Sequence, residues 1–147
     1  MEISKQGLKF IQNEEGIRLK AYQDTRGVWT IGVGHTGPDV YEGLVITADQ
    51  AEDIFKKDLR RFMMAVNTAA DAVPTTQGQY DAMVSLAFNI GVSAFRSQSS
   101  VARFHKRGMY AQAADAFLLW KRAGNDPDRL LPRRKRERNL YLTGNYS

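Results

Sequence analysis

The sequence has no cysteine. Its fold owes nothing to disulfides, which fits synthesis in a reducing cytoplasm. No apolar run approaches the roughly 20 residues that span a bilayer. The opening "MEISKQGLKF" lacks the apolar core of a signal peptide. Stable membrane insertion is not expected, and leaving the cytoplasm would need a separate pore. Histidine is scarce: His35 and His105 are the two copies, and neither has ligand-like partners at useful spacing. No metal and no cofactor are therefore expected. Internal repeats and low-complexity segments are also missing.

What is present is a chain of 147 residues, enough for one domain. At that length roughly two-thirds of the unfolded surface can be buried, and a monomer is expected. The net charge is +5. A basic balance favours a polyanion: nucleic acid, anionic membrane or anionic wall polymer. Composition does not choose among them, and a solvated basic surface is the plain alternative.

Residues 4–15 read as a helix with Leu8, Phe10 and Ile11 on its apolar face, stopped at Gly16. "AYQDTRGVWTIGVGH" then reads as a hairpin turning at Asp24-Thr25-Arg26-Gly27. Residues 36–46 are expected as a loop or an irregular third strand. "ITADQAEDIFKKDLRRFMMAV" is the clearest helix: Thr47 and Gln50 have capping-box spacing, and apolar residues recur at three and four. "TQGQYDAMVSLAFNIG" is a nearly all-apolar central helix closed by Gly91. Further helices are expected at about 99–107, 109–122 and 132–142. The expected fold is α+β. A β-containing N-terminal lobe, about 12–50, joins through a long helix to a helical lobe, about 65–147, that also takes the N-terminal helix. A cleft between lobes is a natural ligand site.

Strand alternation puts Trp29, Ile31 and Val33 on one face, expected as core, and Val28, Thr30, Gly32 and Gly34 on the other. That second face would be a shallow floor with one hydroxyl. Asp24 is either an ordinary turn aspartate bonding its own backbone or a working carboxylate. Glu14 lies over Phe10 and Glu15 over Ile11, so helical spacing does not separate the two glutamates. A carboxylate at a helix C-terminus meets the negative end of the dipole, which favours the protonated form that a general acid needs.

"EEGIRLKAYQDTRGVWTIGVGHT" resembles the catalytic segment of the phage-type lysozymes, the endolysins of glycoside hydrolase family 24. The family places Glu before Gly, Asp nine residues on and Thr six after that, followed by I-G-x-G-H. Here those positions are Glu15, Asp24 and Thr30, then Gly32, Gly34 and His35. The likeness continues through "VITADQAEDIFKKDL", "QYDAMVSLAFNIG" and "AADAFLLWKRAGNDPDRLLPRRKRERNLYLTG", covering essentially the whole chain. One departure is "FRSQSSVARF", where Ser99 and Ser100 stand in for the family's Ser-Thr after one extra residue.

The resemblance implies a lysozyme-like fold with the active site in the cleft between the lobes. It implies a muramidase that hydrolyses the β-1,4 bond between N-acetylmuramic acid and N-acetylglucosamine with inversion. Glu15 would be the general acid, and Asp24, helped by Thr30, would activate water. Gly34, Phe88, Asn89 and Trp120 match substrate-binding positions, though Phe88 and Trp120 fit a core equally well. His35 would pair with Asp58 on the long helix in a structural role. Arg133 would steady the catalytic glutamate, with Arg136 as a structural neighbour. The expected partner is peptidoglycan. Nucleic acid is not expected, because "LLPRRKRERNLYLTG" lacks the aromatic spacing of a stacking platform. The enzyme would wait in the host cytoplasm for a separate phage pore. A lysozyme-fold binding module without turnover is the alternative, and the intact Glu15, Asp24 and Thr30 argue against it.

Overall fold

The computed structural model describes residues 1–147. The order is α1 (Lys5–Glu15), β1 (Arg18–Gln23), β2 (Trp29–Gly32), β3 (His35–Thr36), α2 (Ala48–Ala70), α3 (Gln77–Ile90), a π-helical turn (Ala94–Gln98), α4 (Ser100–Lys106), α5 (Tyr110–Ala116), a 3-10 turn (Phe117–Leu119) and α6 (Leu131–Thr143). The chain forms two compact units. One is Ile11–Arg60, and the other is Met1–Phe10 with Arg61–Ser147. The fold is α+β. No helix is long and apolar enough to cross a membrane.

In the Ile11–Arg60 unit the strands form an antiparallel sheet in the order β1-β2-β3. Its core is Ala21, Ile31 and Val40, with Trp29, Leu44 and Ile46 packed against them. The expected third strand shrinks to His35–Thr36, with one further bridge between Lys20 and Val45. The capping box forms as read: Thr47 N–H donates to Gln50 Oε1 at 2.8 Å, and Gln50 N–H to Thr47 Oγ1 at 3.1 Å.

In the other unit α3 is buried almost all round, with Tyr80, Met83, Val84 and Leu86 removed from solvent. Burying each large apolar side chain contributes roughly 1.5–3 kcal/mol. The helix opens on a second capping box, Thr76 with Gln79.

One expectation needs correcting here. The helix expected over 109–122 ends at Ala116, tightens into the 3-10 turn, and releases Trp120 with φ −98° and ψ 49°. The apolar pattern continues because Phe117 is buried, but the helix does not. The stretch "FRSQSS" forms a π-helical turn, where Ser99 N–H donates to the Ala94 carbonyl five residues back at 2.8 Å. Ser99 then caps α4, accepting from Val101 N–H at 3.1 Å.

Candidate active site

Glu15 is the last residue of α1 and is solvent-exposed, while its neighbour Glu14 is half-buried. Three residues later β1 begins at Arg18, which pairs with Gly32 on β2. At the far end of β1 the chain turns at Asp24. Its Oδ1 accepts from Arg26 N–H at 2.8 Å and from Val28 N–H at 2.9 Å. So the plain turn reading of Asp24 describes its local geometry. It does not exclude chemistry, because those bonds fix the carboxylate while Oδ2 makes no hydrogen bond within the protein.

Thr30 is tied to the same turn. The Val28 carbonyl accepts from Asp24 N–H at 2.9 Å and from Thr30 Oγ1–H at 2.9 Å. One carbonyl therefore couples the aspartate's backbone to the threonine hydroxyl. With its proton given to Val28, the Thr30 oxygen can only accept from anything else. Thr30 is 4% exposed, which corrects the expectation of an open floor on that face. Alternation also ends earlier than expected. Gly32 and Gly34 have φ of +64° and +70°, and Val33 lies in the turn between them. A Cβ on Gly34 would meet nothing within 4 Å, so conformation rather than crowding requires glycine there.

His35 pairs across the sheet with Ile31, and Thr30 with Thr36, so His35 shares Ile31's face and not Thr30's. Its Nδ1 lies 2.8 Å from Asp58 Oδ2, as the resemblance implied. Its Nε2 lies 3.0 Å from Asp39 Oδ2, a partner the sequence reading missed. The i,i+4 spacing of His35 and Asp39 was the available signal, obscured by reading 36–46 as loop. Carboxylates only accept, so this geometry asks for an N–H on both ring nitrogens. Burial opposes that charge, but the hydrogen bonds that the ring donates to Asp39 and Asp58 outweigh it and raise the pKa above 6.5.

The remaining expected residues lie in the other unit. Phe88 is half-buried and meets Phe62 edge-to-face at 5.2 Å. Asn89 Oδ1 accepts from Arg134 Nη2. Arginine carries no acceptor, so this fixes the amide with its NH₂ turned away from Arg134. Trp120 is half-buried and its carbonyl accepts from Arg134 Nε at 2.7 Å. Arg133 donates to Glu137 Oε2 at 3.2 Å and to the Ser85 carbonyl at 3.3 Å. Arg136 is exposed, and the buried neighbour of Arg133 is Arg134, which the sequence reading overlooked.

The chain matches the phage lysozyme family over residues 12–137. It is 50% identical to an endolysin of Salmonella phage P22 over 147 residues, covering 97% of this chain and 99% of that one. A crystal structure of a P22 lysozyme mutant matches with TM-score 0.91 at 53% identity, covering 97% of this chain and 99% of that one. The muramidase domain of SpmX from Asticaccaulis excentricus matches with TM-score 0.85 at 39% identity, covering 97% and 98%.

Proposed function

The chain belongs to the phage lysozyme family and is a peptidoglycan-lysing enzyme, and from that premise we propose that it cleaves the β-1,4 bond between N-acetylmuramic acid and N-acetylglucosamine with inversion. Glu15 gives its proton to the glycosidic oxygen as the bond from that oxygen to the muramic acid C1 breaks. A water donates one hydrogen to Asp24 Oδ2 and the other to Thr30 Oγ1, and its lone pair attacks C1 from the opposite face. Asp24 takes the water's proton, and the products leave as two free sugar ends. Gly34, with open space at its Cα, borders the sugar in this reading.

One observation carries the water-activating half of the reaction. The hairpin holds Asp24 Oδ1 with two backbone N–H groups and leaves Oδ2 idle, and it ties to the same Val28 carbonyl a threonine hydroxyl whose oxygen can only accept. A digest of purified peptidoglycan tests the whole reading. Reducing-end muramic acid, seen by NMR first as the α-anomer, is the expected product. A β-anomer would mean retention and would remove the base role from Asp24; 1,6-anhydro ends would mean transglycosylation instead of hydrolysis. The route to the wall, in this reading, is a pore made by another protein. Lysis by the induced chain alone would exclude it.

A further inference from the structure

We propose that Arg18, stacked on Tyr22, is a specificity-determining residue that reads the lactyl carboxyl of muramic acid, the group that sets this sugar apart from N-acetylglucosamine. Tyr22 stands directly opposite Thr30 in the β1–β2 ladder, and opposed residues share a face of the sheet. Asp24 follows Tyr22 by two positions, just past the end of β1. The Arg18 guanidinium lies 4.6 Å from the centre of the Tyr22 ring. A planar cation is thus held by a ring on the face that carries the Thr30 hydroxyl.

A regular strand would not bring this pair together, since a step of four residues spans about 13 Å. Here the register slips. Arg18 pairs with Gly32 and Tyr22 with Thr30, so a step of four along β1 matches a step of two along β2. The middle of β1 turns to another partner. Ala21 N–H donates to the Leu44 carbonyl at 2.9 Å, and the Leu19 carbonyl accepts from Ile46 N–H at 2.9 Å. Lys20 bridges to Val45. In a regular strand Lys20 would be the neighbour of Tyr22 on that face; the irregularity puts Arg18 there instead. Bulges re-aim side chains in this way and recur beside active sites.

The chemistry of the pair selects the group it reads. Arg18 is exposed, and no carboxylate of the protein pairs with it. Stacking holds the guanidinium flat and leaves its N–H edge for acceptor oxygens. A carboxylate is the best match, because it accepts two parallel N–H bonds. The two sugars of the glycan strand differ at O3, where muramic acid carries a lactyl ether that ends in a carboxyl. The assignment rests on the muramidase reading. Water held at Asp24 and Thr30 attacks C1 of muramic acid, and the lactyl ether leaves the same ring two carbons away. That ring must therefore lie on the face where Arg18 is stacked.

The probes are two disaccharides titrated into ¹⁵N-labelled protein. One joins N-acetylglucosamine to N-acetylmuramic acid with a free lactyl carboxylate; the other joins two N-acetylglucosamines. The Arg18 Nε–H signal should shift with the first and much less with the second. Kinetics should then compare glycan stripped of its peptides by an amidase with the same glycan after its lactyl carboxylates are converted to methylamides. Wild type should have the lower KM on the carboxylate form. Arg18→Gln should raise that KM roughly three- to five-fold, the size expected of an exposed ion pair. It should raise the KM on the methylamide form much less, so that the ratio of the two approaches unity. Arg18→Lys keeps the charge without the planar fork and should recover part of the ratio. Tyr22→Leu, which removes the stacking ring, should lower the ratio as Arg18→Gln does, with thermal melts confirming that the variants fold. Equal losses on both glycans would overturn the assignment, as would an unchanged ratio or an Arg18 signal that moves alike with both disaccharides. Failure of the muramidase reading would look different: wild type would release no new reducing-end muramic acid from either glycan.

Discussion

The two units each hold one histidine and a set of carboxylates, and the partners they give them differ in kind. In Ile11–Arg60, His35 stands between two carboxylates, Asp24 has one oxygen idle and Glu15 is exposed. In the other unit two acids are buried and saturated. Glu137 accepts from Arg133, Arg134 and Ser85, with no exposed surface. Asp81 is also fully buried, and accepts from Ser4, Gln77 and Tyr146. A carboxylate fixed on every lone pair steadies a fold but is poorly placed to move protons, because each bond must break first. A carboxylate with a free oxygen on a rigid turn is available for chemistry. The comparison separates acids left available for chemistry from acids that hold the fold.

The largest expected effect tests the working side. Glu15→Gln keeps shape and removes the acidic proton, so lysis should fall by about 10²–10⁴-fold. Glu14→Gln should retain most activity. Melting of the Glu15→Gln protein should be unchanged or slightly higher, because an ionisable carboxyl leaves the negative end of a helix dipole. Turbidity assays beside circular dichroism melts decide it. A dead Glu14→Gln protein with an active Glu15→Gln protein would reverse the assignment.

The holding side should respond in the opposite currency. Glu137→Gln leaves two buried arginines short of their counter-charge, a defect that typically costs about 3–5 kcal/mol. Urea unfolding should show that loss, while molecules that remain folded turn over within about tenfold of wild type. A Glu137→Gln protein that is fully stable yet inactive would break the comparison.

How far these roles could be read beforehand depended on how local their causes are. The Asp24 turn and the Thr47 capping box are set within a few residues, and they appear as expected. Arg134 and Glu137 were hidden in a stretch that reads as a solvated basic face. They are buried because Ser85, Asn89 and the Trp120 carbonyl come to meet them from 14 to 52 positions away. Local periodicity carries no record of such partners. The same holds for the end of α5, where apolar spacing persists into the 3-10 turn and gives no warning that Trp120 has left the helix.

His105 sharpens the contrast between the units. It has no exposed surface. The Thr75 hydroxyl gives its proton to the Ala70 and Val73 carbonyls at 2.8 and 3.0 Å. His105 Nε2–H must therefore donate to Thr75, at 2.9 Å, while Nδ1 accepts from Tyr141 Oη–H at 2.6 Å. This network fits a neutral ring, and burial lowers the pKa from 6.5 to about 4. The folded value lies below the unfolded one, so the stability this site gives is full above pH 6.5 and declines as pH falls toward 4. The loss should be on the order of 2–3 kcal/mol. His105→Gln should flatten the dependence of unfolding free energy on pH across that window. An unchanged slope would assign acid lability elsewhere.

The smallest effect is at His35, where the sign is opposite. Its folded pKa is raised, so the stability it gives is full below the unfolded value of 6.5 and is lost as pH climbs through the folded value. Solvent reaches the site, with side-chain exposures of 16% for His35, 28% for Asp58 and 65% for Asp39. Screening should keep the contribution below about 1 kcal/mol. Asp58 is the closer and less exposed partner, at 2.8 Å against 3.0 Å, so Asp58→Asn should lower the His35 pKa more than Asp39→Asn does. Neither single change should remove the whole shift, because the other carboxylate still faces its own ring nitrogen. Asp58→Asn should therefore destabilise the protein most at acidic to neutral pH and little at alkaline pH. An NMR titration of the two histidines in one sample reads both environments together: His35 should titrate above 6.5 and His105 well below it. If Asp58→Asn leaves the His35 pKa where it was, the pairing contributes nothing, and the two histidines differ only in how deeply each is buried.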